Sequence, residues 1–112
     1  MNTRPIPGWS GYLAADTGEI VSAKAGRPLK PWRNKGAHHV YLVVELYAAG
    51  ASCRFYVHRL VCAAFHGDRL ADPVAQVDHI DGDTLNNAPG NLRWTDAQGN
   101  RANQRRGAEV SA

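Results

Sequence analysis

Asp78 and His79 stand side by side in the stretch QVDHIDGDTLNNAPGNLRWTDAQGNRAN, and Asn91 and Asn100 follow them. A carboxylate is a hard oxygen ligand for a divalent cation, and an imidazole is a base that titrates near neutrality. Brought to one point, the two supply what metal-assisted phosphodiester hydrolysis requires. One neutralises charge through a cation, and the other takes a proton from water.

These residues need elements to hold them. Residues 76–80 and Leu92–Thr95, the second of which alternates apolar and polar side chains, read as two short strands around a loop rich in Asp, Asn and Gly. Asp96 is a good N-cap for a closing helix that runs to about Arg106 and ends at Gly107. That helix is weak in isolation, because Gly99 costs about 1 kcal/mol relative to Ala. It therefore depends on docking. In a regular strand Asp78 and His79 would point to opposite faces, so a shared site requires the strand to bend or end there. Gly82 and the polar loop allow that.

Upstream, turn signals at Pro7-Gly8, Thr17-Gly18 and Ala25-Gly26 separate strand candidates at 11–15 and 19–23. Pro28, Pro31 and Lys35-Gly36 then break regular structure. The segments HVYLVVEL and SCRFYV, joined by a turn at Ala49-Gly50, form the clearest hairpin. HRLVCAAFH reads as a short helix with Leu60, Val61, Ala64 and Phe65 on one face and Gly67 after it. Trp9, Trp32 and Trp94 are expected to pack within or between these units, with base stacking by Trp32, flanked by Lys30 and Arg33, as the lesser reading.

A chain of 112 residues suits one small domain or two interlocked parts on one core. No apolar run approaches the ~20 residues of a transmembrane helix, and the start lacks the apolar segment of a secretory signal. A cytoplasmic protein is therefore expected. Cys53 and Cys62 form no CxxC pair, which argues against a zinc ribbon. DGDTLNN lacks the ligand alternation and the closing Glu of a calcium loop. Charge is uneven: residues 1–66 carry +5 and residues 67–112 carry −2. A basic half beside an acidic, metal-competent half suits a polyanionic substrate.

Strand, loop, strand and helix, with VHRLVCAAF ahead of VDHIDGDTLNNAPGNLRW, resembles the ββα-metal motif of the H-N-H endonucleases of phage and mobile introns. The earlier segment IPGWSGYLAADTGEIVSAKAGRPLK is similar to a nuclease-associated module found ahead of that motif. The resemblance implies an α+β protein with three parts. Residues 1–37 form the N-terminal module, an antiparallel sheet that continues to the short helix. Residues 38–107 hold the hairpin, that helix and the nuclease motif, and 108–112 form a disordered tail.

The resemblance also assigns roles. His79 matches the general base, and Asp78 the acidic metal ligand beside it. Asn91 matches the middle asparagine, which holds the loop and orients the imidazole. Asn100 matches the helix ligand, with eight residues between it and Asn91, and Asn103 is the runner-up. An amide oxygen at a position where the family often has His favours Mg²⁺ or Mn²⁺ over Zn²⁺. Double-stranded DNA is the implied partner. Lys24, Arg27, Lys30, Arg33, Lys35 and Arg54 are expected to hold the duplex, and Arg93 and Arg101 to contact phosphate. Arg93, two residues past Asn91, is expected on the same strand face. Asp81, Asp83, Asn86 and Asn87 read as turn formers, and His58 as structural.

Homing members of the family often carry a helix-turn-helix after the motif. The chain reaches Ala112 without one, so a monomer is expected to have little sequence specificity. A homodimer would restore it and convert nicking into double-strand cutting. The rival reading is a DNA-binding module that keeps the fold without activity. A nuclease directed at RNA is a third.

Overall fold

The computed structural model describes residues 2–35 and 39–96. The expected closing helix, with Asn100, Arg101 and Asn103, and the tail at 108–112 lie outside the described residues.

The architecture is α+β, with three antiparallel sheets gathered around one helix. Strands β1 (Thr3–Ile6), β2 (Trp9–Ala15), β3 (Ile20–Ser22) and β4 (Arg27–Pro28) form the first sheet in sequential order. Strands β5 (Trp32–Lys35), β6 (Val40–Ala48) and β7 (Ala51–Tyr56) form the second. Helix α1 (Val57–His66) follows, and β8 (Gln76–His79) pairs with β9 (Leu92–Thr95) as the third. The N-terminal half thus contains two sheets, where the sequence reading expects a single sheet.

The hairpin, the helix and the last two strands lie where the sequence pattern places them. Ala48 pairs with Ala51, so only Ala49 and Gly50 turn the chain. Both have positive φ, at 51° and 79°, which matches the right-handed twist of the flanking strands. Two strands escape the pattern. β1 contains Pro5, and its pairing with β2 shifts register between Pro5 and Ile6. β5 is WRNK, exposed throughout. Both are outer strands, where a missing N–H or a charged side chain is tolerated. Trp32–Lys35 pair with β6, so this segment belongs to the second sheet.

Helix α1 fills the centre. Leu60, Val61 and Cys62 are fully buried. They meet Ile6, Ala14 and Ile20 of the first sheet, Val44 and Leu46 of the second, and Val77 and Leu92 of the third. The helix packs against β1, β2, β6, β7, β8 and β9. Beyond Gly67 the loop to β8 is pinned by Arg59, whose Nη1 donates to the Ala75 carbonyl at 2.8 Å. Trp94 Nε1 donates to the Gly67 carbonyl at 2.8 Å, and His66 Nε2 to the Pro89 carbonyl at 2.7 Å. The end of α1 is thereby tied to both β9 and the loop before it. Trp9 packs edge-on to Phe55, but Trp32 remains 40% exposed, contrary to the packing role expected for it. No helix among the described residues is long and apolar enough to cross a membrane.

Candidate active site

Strand β8 ends at His79. The Gly82 N–H returns to the His79 carbonyl at 2.8 Å, and the Ile80 N–H donates to the Asn91 carbonyl at 2.8 Å. The turn comes where a shared Asp-His site requires it, and Asp78 and His79 are both buried.

Asp78 is 1% exposed and lies in register with Arg93 across the β8–β9 pair. Arg93 Nε donates to Asp78 Oδ2 at 2.8 Å, and the arginine side chain stays half-exposed. Directly opposed residues share a face, so the pairing follows from register. It also corrects the sequence basis for placing Arg93. Asn91 sits in a 3₁₀ turn (Pro89–Asn91) before the strand begins, so strand alternation does not relate the two.

The His79 ring lies in a different setting. Its Nε2 is 2.9 Å from Asn87 Oδ1. His58 meets it edge-on at 5.1 Å, with Tyr41 at 6.3 Å. Burial pulls the His79 pKa down, outweighing the Asn87 bond and the carboxylates of Asp81, Asp78 and Asp83, which raise it. The ring is therefore a neutral imidazole near neutral pH. His79 Nε2 thus faces the side-chain amide of Asn87.

Asn91 holds the loop, as expected, but Asn87 makes the contact with His79 Nε2. Asn91 Oδ1 accepts from the Asp81 N–H at 2.9 Å, and Nδ2 donates both to Asp81 Oδ1 and to the Asn86 carbonyl at 2.9 Å. Both amide protons are thereby used. Asp81 accepts further bonds from Asn86 Nδ2 at 2.9 Å and the Asp83 N–H at 2.8 Å. Burial would raise the Asp81 pKa, but these donors outweigh it and hold the carboxylate ionised. Asp83 caps the Leu85 N–H, and Thr84 Oγ1 donates to the Val40 carbonyl of β6. Asp81, Asp83 and Asn86 are turn formers, in line with their sequence reading. Asn87 is not: it is 4% exposed and lies against the imidazole.

His58, which the sequence reading takes as structural, lies edge-on to the His79 ring. It is 8% exposed, stacked on Tyr56 at 5.2 Å and within 5.2 Å of Tyr41. Burial, then the neighbouring His79 and Arg59, push its pKa down to about 3. Its Nδ1 has no hydrogen-bond partner among the described residues. Its position at the start of α1, on the inward face, is the only signal of this in the sequence.

Lys24, Arg27, Lys30, Arg33, Lys35 and Arg54 are all exposed. Arg54 lies over the Trp32 ring at 5.8 Å, beside a groove of about 290 Å³ lined by Trp32, Asn34, Val43, Arg54, Phe55 and Tyr56. Among the described residues, no cluster of three or more His, Cys, Asp or Glu could hold a metal by itself. Of the two expected ligands, only Asp78 is described.

Two antiparallel strands bridged by an Asx-rich loop, with a buried Asp-His pair at the end of the first, define the class, and residues 55–102 match the family model described as HNH endonuclease. Over this segment the chain matches the HNH endonuclease family. It is similar to the DNA endonuclease I-HmuI of Bacillus phage SP01, with 37% identity over 105 residues, 93% of this chain and 58% of that protein. It is also similar to the H-N-H endonuclease F-TflI of Escherichia phage T5, with 33% identity over 95 residues, 83% of this chain and 46% of that protein. A solved structure of the HNH homing endonuclease I-HmuI, described for DNA binding and cleavage, matches at a TM-score of 0.78 and 35% identity, covering 95% of this chain and 59% of that one. The chain thus spans about half the length of these relatives.

Proposed function

We propose that the chain is a divalent-metal-dependent DNA endonuclease that hydrolyses phosphodiester bonds. The observation that carries this reading is the neutral, buried His79 beside the buried Asp78 at the end of β8.

His79 takes a proton from the attacking water as the new P–O bond forms and the 3′ oxygen leaves. Its low pKa keeps it able to do so near neutral pH. Asp78 is a hard oxygen donor, and Asn100 would add an amide oxygen, a set that suits Mg²⁺ or Mn²⁺. The cation, when bound, neutralises charge that develops at the phosphate. Asn91 keeps the loop closed around Asp81 and so fixes the turn that ends β8. Arg93 holds Asp78 and, with Arg101, contacts substrate phosphate. The exposed basic residues Lys24, Arg27, Lys30, Arg33, Lys35 and Arg54 grip the duplex backbone, which supplies affinity with little sequence information. The setting is the cytoplasm of a bacterial or phage-infected cell.

The alternative is a DNA-binding module without activity. Cleavage of supercoiled plasmid with Mg²⁺, Mn²⁺ or EDTA separates the two when wild type is compared with His79→Ala. Metal-dependent nicking by wild type alone supports the enzyme, and the ratio of open-circle to linear product separates a nicking monomer from a homodimer. A gel shift by both proteins with cleavage by neither leaves the binding module.

A further inference from the structure

We infer that Asn87 is a positioning residue for His79, and that Gly18 of the N-terminal sheet holds Asn87 in place. The inference rests on the nuclease reading above, because it assigns Asn87 a part in orienting the base.

Three observations carry it. The first is the buried contact itself, with Asn87 Oδ1 2.9 Å from His79 Nε2. An acceptor on Nε2 fixes the neutral ring as the Nε2–H tautomer and aims Nδ1 away from it. The second is what the amide leaves unused. Asn87 Nδ2 is buried and has no hydrogen-bond partner among the described residues, whereas both amide protons of Asn91 are bonded. An unpaired buried donor is unfavourable, and an asparagine serving only to shape the turn would be oriented to use it. The bond to His79 is the one contact that accounts for an amide in this place.

The third is the floor beneath Asn87. The β2–β3 turn is closed by the Gly18 N–H on the Ala15 carbonyl at 2.9 Å and the Ala15 N–H on the Glu19 carbonyl at 2.8 Å. Gly18 itself is buried, with φ of 89°. A Cβ there would come within 2.6 Å of the Asn87 carbonyl carbon and 2.8 Å of its oxygen. Only glycine lets the turn rest directly on the Asn87 backbone. The first sheet therefore sets the height of the residue that meets the base, and the N-terminal half contributes to the geometry of the site as well as to DNA contact.

The test compares Asn87→Leu, Asn87→Asp, Gly18→Ala and Gly26→Ala with wild type by steady-state cleavage of a duplex substrate. Asn87→Leu keeps the volume and removes the acceptor, and kcat should fall by about 10–100-fold with KM unchanged. Asn87→Asp keeps an acceptor and cannot donate, so it should retain most of the rate. Gly18→Ala should lower kcat. Gly26→Ala should not: its φ of 67° is also in the left-handed region, but a Cβ there meets nothing within 4 Å.

A second readout needs no cleavage: the imidazole nitrogen-15 spectrum of metal-free protein at mildly alkaline pH, with His79 assigned through His79→Gln. Wild type and Asn87→Asp should show the Nε2–H form, and Asn87→Leu a mixture. If wild type shows Nδ1–H, or if Leu and Asp lower kcat alike with the tautomer unchanged, the role of Asn87 is refuted. Equal effects of Gly18→Ala and Gly26→Ala refute the role of Gly18. If wild type cuts no DNA with either cation, the nuclease reading fails by itself, and the spectra still decide whether Asn87 orients His79. Circular dichroism identifies any unfolded variant, and the others then carry the test.

Discussion

Arg93 lies directly across the β8–β9 ladder from Asp78 and donates Nε–H to its carboxylate at 2.8 Å. The guanidinium thus occupies one oxygen of the acidic residue that the proposed mechanism assigns to a cation. Arg93→Met should destabilise the fold by about 2 kcal/mol, the usual worth of a charge-assisted hydrogen bond at a buried acceptor. Added Mg²⁺ should recover part of that loss by taking the place of the arginine. Urea midpoints with Mg²⁺ and with EDTA measure both effects. No Mg²⁺ response in Arg93→Met would count against Asp78 as a ligand.

Cleavage should weaken as pH falls, with its acid limb below the ordinary histidine value of 6.5, because burial lowers the His79 pKa. The sign follows from the role: a base works while neutral, and a lowered pKa extends the neutral form to lower pH. The pH profile of kcat on a plasmid or duplex substrate measures this. A limb above 6.5 would mean that another group titrates.

Stability should also fall on the acid side. His58 binds its proton at 6.5 when unfolded and only at about 3 when folded. Between those values the unfolded chain holds more protons, so stability declines as pH drops from the first toward the second, by up to about 1.4 kcal/mol per pH unit. His58→Phe keeps the stack on Tyr56, removes the titration and eliminates the unpartnered Nδ1. Its urea midpoint should change less than that of wild type across this range, and an identical slope would refute the assignment.

Duplex affinity should depend on the exposed basic residues of the first sheet and its exit. Lys24→Gln, Arg27→Gln and Lys30→Gln together should weaken binding to all sequences alike. The dependence of log affinity on log salt should become shallower by about one for each phosphate that is no longer neutralised. Fluorescence anisotropy across a salt series tests this. An unchanged slope would place the duplex on another face.

Much of this fold is legible because its buried elements carry strong periodicity. HVYLVVEL can bury one face only as a strand, and Leu60, Val61 and Ala64 share a face only on a helix. β1 and β5 escape because outer strands need no such pattern, and Pro5 or WRNK reads as a breaker or as surface. The site divides in the same way. Asp78 and His79 stand out by residue type and adjacency. Asn87 does not, since Asp81, Asp83, Asn86, Asn87 and Asn91 form a run in which type alone cannot separate a turn former from a partner of the base. Burial separates them, and burial here depends on Gly18, nearly seventy positions upstream.

The central place of α1 has a consequence for how such a protein can be taken apart. Leu60, Val61 and Cys62 are covered by strands from all three sheets, so no cut along the chain leaves an intact apolar interior on one side. The matched segment at 55–102 contains only part of this core. Cut out alone, that segment would lose Ile6, Ala14 and Ile20 from the core against which it packs.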